Sequence, residues 1–431
     1  MKTNYLFLLF LPVLAAGCSQ VDVIDEISVS SLNDTTEGYD NTVISQSRAI
    51  EMAEDFFDNI QISRSGQRTP SEIEYVLRQS MSRSGNDLPD TLAYIINYAD
   101  NQGFAIIANS TKVKAPLAFS DTGNFSLAFE PTNENFIQRI EPYMSELNAK
   151  TDNSDDSEIS VLPSIIPYLI QNKLKVYPHQ SSPWDKYVII KHPGSPVGCV
   201  PLAITNIMLH AKDRFSFNGE TIHAKAIIDA IHDIHRLPNL TNNSENSNIS
   251  NAIETGNFVY PDSLPYIVWY TYDKGKDLFA KMLSDVGEEM GVSYGDYETG
   301  SSSDGMFALP MLRECGFDIQ PVTGYFLIPY DFTTAFNYIK DGYFLYLQGP
   351  NICGGDGHGW LADGGMYTVN SIDKTKIINA WIHCDWGHAG AHDGYFSGEV
   401  FEMTDNYHYK PYRFIAVKDE STNQTMTDIQ I

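Results

Sequence analysis

Basic residues are scarce in this chain: 28 Lys and Arg stand against 55 Asp and Glu, a formal net charge of −27. A surface that negative repels phosphate backbones and anionic lipids, which argues against nucleic-acid partners and against membrane binding by charge. Cysteine is scarce as well. Five in 431 residues are too few for a disulfide scaffold, and they lack the paired CxxC spacing of a zinc site. The eleven histidines contain no HExxH or comparable metal-ligand spacing, so a metalloenzyme is disfavoured. Beyond the first twenty residues nothing approaches about 18 uninterrupted apolar positions, the minimum for a membrane span. What is present is a globular composition, 42% hydrophobic, 19% charged and 12% aromatic. The length suffices for two or three domains, each with its own core.

The opening MKTNYLFLLFLPVLAAGCSQ carries Lys2, an apolar run from Tyr5 to Leu14 and then small residues, the layout of a secretory signal peptide. Its ending, Leu14-Ala15-Ala16-Gly17-Cys18, is similar to a bacterial lipobox. That resemblance implies that Cys18 is acylated and becomes the mature first residue, an anchor and not a catalyst. Residues 1–18 are then the lipoprotein leader. Residues 19–44, acidic and without a basic residue, read as a solvated tether.

Globular patterning starts at SRAIEMAEDFF, where Ala49, Ile50, Ala53, Phe56 and Phe57 recur at helical spacing. Strand-like runs follow at Thr91 to Tyr98 and Gly103 to Ala108. Asp100, Asn101, Gln102 and Gly103 between them suit an antiparallel hairpin. A further helix is expected over Phe136–Leu147. The polar, acidic run from Thr151 to Glu158 breaks the pattern and marks a domain boundary. The expected organisation is a first domain over 45–150, a linker over 151–165 and a second domain over 166–431. In the second, helical periodicity at Cys199 to Ala211 and Leu278 to Met290 comes first. Strands at Tyr343 to Gln348, Gly359 to Ala362 and Ile377 to Ile382 come later. Helices before strands is an α+β order, not the alternation of a doubly wound sheet. The Asn/Ser-rich stretch 240–249 reads as an exposed loop.

A thiol nucleophile needs a lowered pKa, a histidine to take its proton, a group to orient that histidine and donors for the oxyanion. Cys199 follows Gly198 and opens what reads as an amphipathic helix, so its sulfur meets the positive end of the helix dipole, which favours thiolate. By itself this is weak, because packing as a small buried hydrophobe is the commoner use of a cysteine. His358 lies among glycines before an apolar strand and is the best candidate partner. Asp385 and Trp386, at the end of the strand from Ile377, offer a carboxylate and an indole later in the chain. Cys, then His, then Asp or Asn followed by Trp is the order of papain-like thiol peptidases.

With these residues in order, the chain resembles the streptopain-like cysteine peptidases, in the lipoprotein form made by Gram-negative bacteria. The resemblance runs from about Ser45 to Phe414. It rests on SRAIEMAEDFF and LAYIINYADNQGFAIIANSTKVKAPLAFSDTGNF in the first domain, and on VGCVPLAITNIMLHA, MLSDVGEEMGVSYGDYETGSSS, LRECGF, IKDGYFLYLQG, GHGWLADGG and HCDWGHAGAHDGYF in the second. It implies an α+β papain-like catalytic domain, with a helical part and an antiparallel sheet, preceded by an α+β inhibitory prodomain. It also implies no cofactor. The partners would be a peptide or protein substrate, the chain's own prodomain, and a membrane reached through the lipid anchor. The expected place is the cell envelope, at the outer membrane or cell surface.

Carried over by position, Cys199 is the nucleophile and His358 the general acid/base. Asp385, where the family usually has Asn, orients the histidine, and Trp386 shields that bond. Trp184-Asp185-Lys186 stands where a Trp-any-Gln run supplies the oxyanion donor, which puts Lys186 at the oxyanion position; Gln180 is the nearest glutamine. His388 replaces an aromatic residue and Asn206 a glutamine. These departures leave open a catalytically silent surface protein that binds a peptide or protein. Cys315 reads as core, and Cys353 and Cys384 could pair. Ser301 to Ser303 read as a loop beside the cleft.

Overall fold

The computed structural model describes residues 43–60, 68–77, 91–113, 115–127, 165–232, 272–297, 299–323, 332–349, 358–398, 413–421 and 429–430. The helix expected at 136–147, the acidic run 151–158, the stretch 240–249, Cys18 and Cys353 lie outside the described residues.

The first expected helix forms. Helix α1 (Gln46–Ile60) buries Ala49, Ala53, Phe56, Phe57 and Ile60, an i, i+4, i+7, i+8, i+11 stripe that faces one core while the acidic positions stay in water. Beside it lie strands β1 (Pro70–Leu77), β2 (Thr91–Tyr98), β3 (Phe104–Ala108) and β4 (Ala118–Ser120), antiparallel in that order. The β2–β3 hairpin closes where expected. Asp100 and Asn101 take left-handed φ values of 55° and 54°, which their short polar side chains tolerate better than most.

Beyond the linker come β5 (Ile165–Ile170), a short helix α2 (Lys186–Lys191), the helix α3 (Cys199–Ala211), a β6–β7 hairpin (Phe215–Phe217, Glu220–Ile222) and helices α4 (Ala224–His232), α5 (Tyr272–Glu289) and α6 (Ala308–Glu314). Then follow β8 (Phe317–Thr323), α7 (Phe332–Lys340), β9 (Phe344–Gly349), β10 (His358–Asn370), β11 (Ile377–Asp385), β12 (Gly394–Ser397), β13 (Arg413–Asp419) and β14 (Ile429–Gln430). Helices precede most of the strands, the expected α+β order. Helix α3 is buried from Val200 through Leu209; it runs through the middle of the helical core, so it carries no polar stripe. Cys315 sits in that core, as expected, with its thiol pushed up to about 11 by burial. No helix among the described residues is long and apolar enough to cross a membrane.

One antiparallel sheet of 12 strands joins the two parts, in the order β1-β2-β3-β4-β12-β11-β10-β9-β13-β8, with β5 paired to β10 and β14 to β5. The seam is β4 against β12, where Phe119 faces Tyr395 and Ala118 faces Phe396. Side chains reinforce it. Phe56 of α1 packs at 4.8 Å on Phe119 and at 5.5 Å on Trp381 of β11, and the Trp381 indole N–H donates to the Pro116 carbonyl at 2.9 Å. Strand β10 is longer than its sequence pattern predicts. Its first half pairs with β9 and its second half with β5, and packing on both faces buries almost its whole length, so it lacks the alternation that marks a half-exposed strand. In the antiparallel β10–β11 pair, Leu361 faces Asp385. The start of β10 and the end of β11 therefore meet, which brings His358 beside residues 385–387.

Candidate active site

Cys199 is half-buried at the first turn of α3. Gly198 before it has a φ of 91°, and a Cβ there would lie 3.1 Å from Cβ of Ser301. Both facts demand glycine, and together they present the sulfur at the helix mouth. The backbone N–H of Gly359 donates to Cys199 Sγ at 3.3 Å. Burial pushes the thiol pKa up, while the His358 charge, a side-chain hydrogen bond with His358 and the backbone N–H groups of Gly359 and Val200 pull it down, and the balance is a lowered pKa. Such a site stabilises thiolate next to imidazolium.

His358 opens β10. Its Nε2 lies 3.1 Å from the Trp386 carbonyl oxygen, and a carbonyl can only accept, so Nε2 carries a proton and Nδ1 is left as the basic nitrogen. The ring is flanked by aromatics: His388 stacks at 5.7 Å and 5°, and Trp360 at 6.1 Å and 12°. Burial and the neighbouring His358 lower the His388 pKa to about 3, so this stacked imidazole is neutral at working pH.

Two expectations need correcting. The Asp385 carboxylate does not hold His358 directly: its Oδ1 accepts from Gly387 N at 2.8 Å and its Oδ2 from Asn206 Nδ2 at 3.2 Å. The oxygen facing the imidazole belongs to the Trp386 backbone. Correspondingly, the Trp386 indole packs at 5.2 Å on both Trp360 and Phe396, so it walls the histidine and does not cover a His–Asp bond. Lys186 is likewise misassigned as an oxyanion group. It begins α2 with its side chain 55% exposed and paired to Asp277 of α5, because two exposed helix faces meet there and an ammonium finds a carboxylate more readily than a buried cleft. Gln180, the nearest glutamine, lies against the segment that leads into Cys199: its carbonyl accepts from Val197 N at 2.9 Å, two residues before Cys199.

The loop at Ser301 lies beside the thiol as expected, and the Ser301 hydroxyl donates to the Pro196 carbonyl at 2.8 Å, a structural tie. Cys384 is buried in β11; a pairing with Cys353 falls outside the described residues. No group of three or more His, Cys, Asp or Glu among the described residues is arranged to hold a metal ion. The first domain reaches the site's rim. Phe125, pinned by two bonds of 2.8 Å to the Asn97 side chain, packs edge-on at 5.3 Å against His392, and Ser126 N donates to His392 Nδ1 at 3.4 Å.

A thiol at a helix start, an imidazole at a strand start and a second domain sharing the sheet define the class: a papain-like thiol hydrolase fold preceded by an α+β segment. Comparison with known families gives the particular assignment. The family described as peptidase C10 matches residues 179–396, more than half of the chain, and the one described as Spi protease inhibitor matches residues 41–146. The chain belongs to the peptidase C10 family, and it is a latent cysteine peptidase precursor with an inhibitor-type prodomain. No curated protein matches it. Among solved structures it is similar to a mutant fragment of Prevotella intermedia prointerpain A, at 15% identity over 76% of this chain and 96% of that one, with a TM-score of 0.46. It is also similar to active wild-type interpain A cysteine protease from Prevotella intermedia, at 14% identity over 58% and 94% of the respective chains, with a TM-score of 0.32.

Proposed function

We propose that the chain is an endopeptidase precursor in which Cys199 thiolate attacks the scissile peptide carbonyl and His358 first protonates the leaving amine. Water activated by the same histidine then hydrolyses the acyl-enzyme. The observation that carries this reading is that Cys199, at the start of α3, takes the Gly359 N–H at 3.3 Å and sits beside His358, whose charge and hydrogen bonding lower the thiol pKa against the effect of burial. The Trp386 carbonyl keeps the His358 tautomer in register. The Cys199 N–H and the Gln180 side-chain amide are the proposed oxyanion donors, since Gln180 is held against Val197. Substrate enters as a peptide or protein, and the prodomain acts as its intramolecular competitor.

We propose further that Cys18 is lipidated and tethers the protein in the cell envelope, a reading supported by the lipobox-like Leu14-Ala15-Ala16-Gly17-Cys18. The domain limits 45–150 and 166–431, with processing between them, belong to the same proposal. Iodoacetamide labelling near neutral pH tests the chemistry: Cys199 should react far faster than Cys315, and His358→Ala should abolish the difference. Equal, slow labelling of both thiols would overturn it.

A further inference from the structure

The Trp386–Gly387 peptide is used on both edges. Its C=O meets His358 Nε2 at 3.1 Å, and its N–H donates to Asp385 Oδ1 at 2.8 Å. A trans peptide carries C=O and N–H on opposite sides, so the carboxylate and the imidazole flank one amide. The φ of 77° at Gly387 allows the turn, and a Cβ there would come within 2.9 Å of Leu202 Cδ2 on α3. Asp385 Oδ2 accepts from Asn206, about two turns along the helix that begins at Cys199. The same carboxylate thus ties the peptide that holds the histidine to the helix that presents the thiol.

Resting on the catalytic reading above, we propose that Asp385 is a positioning residue that acts on His358 through the Trp386–Gly387 peptide. Its two hydrogen bonds fix the plane of that amide against α3. As an anion behind the N–H it polarises the amide, making the Trp386 carbonyl a stronger acceptor for the imidazolium; such chains of hydrogen bonds reinforce one another in a low-dielectric site.

Asp363 and Asp393 lie near Asp385, and Asp385 is the carboxylate that accepts from the N–H of this amide. Asp363 of β10 is bonded to His383 at 2.6 Å and to the backbone N–H groups of Lys173 and Leu174 at 2.8 and 2.7 Å. Asp393 accepts from Trp386 N at 3.1 Å, and burial and the neighbouring Asp385 drive its pKa well up. Burial raises Asp385 only to about 6. His210 on α3, bonded to the Asn206 carbonyl, is lowered to about 4 by burial, and His388 to about 3. His392, lowered by burial, and Tyr177, raised by burial, complete the facing groups and add no charge near neutral pH.

The test compares processed parent, Asp385→Asn and Asp385→Ala in the pH dependence of kcat/KM for a peptide substrate, with iodoacetamide labelling alongside. An asparagine oxygen can still accept from Gly387 N, so Asp385→Asn should fold and keep KM. Its kcat should fall about tenfold, the size of one weakened charge-assisted bond. The alkaline limb, which marks loss of the imidazolium, should move down by roughly half to one pH unit. Asp385→Ala should lose more kcat than Asp385→Asn. An Asp385→Asn profile with the parent's alkaline limb and kcat would overturn the proposal while leaving the catalytic reading intact. A parent without a fast-labelling Cys199 would overturn both.

Discussion

At the scale of single residues, the oxyanion assignment separates two neighbours in sequence. Gln180 is held against the strand of chain leading into Cys199, whereas Lys186 faces solvent and Asp277. Gln180→Ala should therefore cut kcat by about 10²–10³ with little change in KM, the usual consequence of losing one oxyanion donor. Lys186→Ala should behave as the parent. Asp385 has a stability consequence of its own. Its folded pKa, raised by burial to about 6, exceeds the unfolded value, so the folded state binds more protons between about pH 4 and 6. Stability contributed by this group is then present below that window and lost as pH rises through it. Denaturant titrations should find Asp385→Asn more stable than the parent by about 1–3 kcal/mol at pH 7.5. The gap should close toward pH 4, and an equal gap at both values would contradict the buried-charge account. Cys199 and His358 were legible in the sequence because their side chains carry the chemistry and glycines announce the close approaches. The Trp386 carbonyl was not legible, since a backbone oxygen leaves no mark in the residue type, and Asp385 took the role in its place.

Among the elements, α1 and the β2–β3 hairpin could be read from periodicity and turn residues, and the β9, β10 and β11 runs from their apolar content. The seam was hidden: β4 has three residues and β12 four, too short to show alternation, and their pairing joins segments far apart in the chain. Phe56 makes the mechanical role of the seam testable. It packs on Phe119 and Trp381, and truncating a core Phe costs about 3–5 kcal/mol. Part of that loss falls on the docking of the prodomain. Phe56→Ala should shorten the lag before proteolysis appears in a fresh preparation. An unchanged lag with a lowered melting temperature would confine Phe56 to the prodomain's own core.

Over the whole molecule, continuity of one sheet across both parts explains how latency is built in. The prodomain supplies four strands, covers the edge of β12 and leans through Phe125 and Ser126 on His392, six residues beyond the carbonyl that meets His358. Removing it uncovers a strand edge and takes from that loop its neighbour, which on the proposed reading links processing to catalysis. The most direct measurement follows intact mass and casein hydrolysis over time for residues 19–431, beside a Cys199→Ala control. The account predicts that the parent starts inert, releases a fragment beginning near residue 151 or later and gains activity as it does so, while the control stays whole and inactive. Activity in the control, or a parent that remains inert after its prodomain has been trimmed by an added protease, would contradict it.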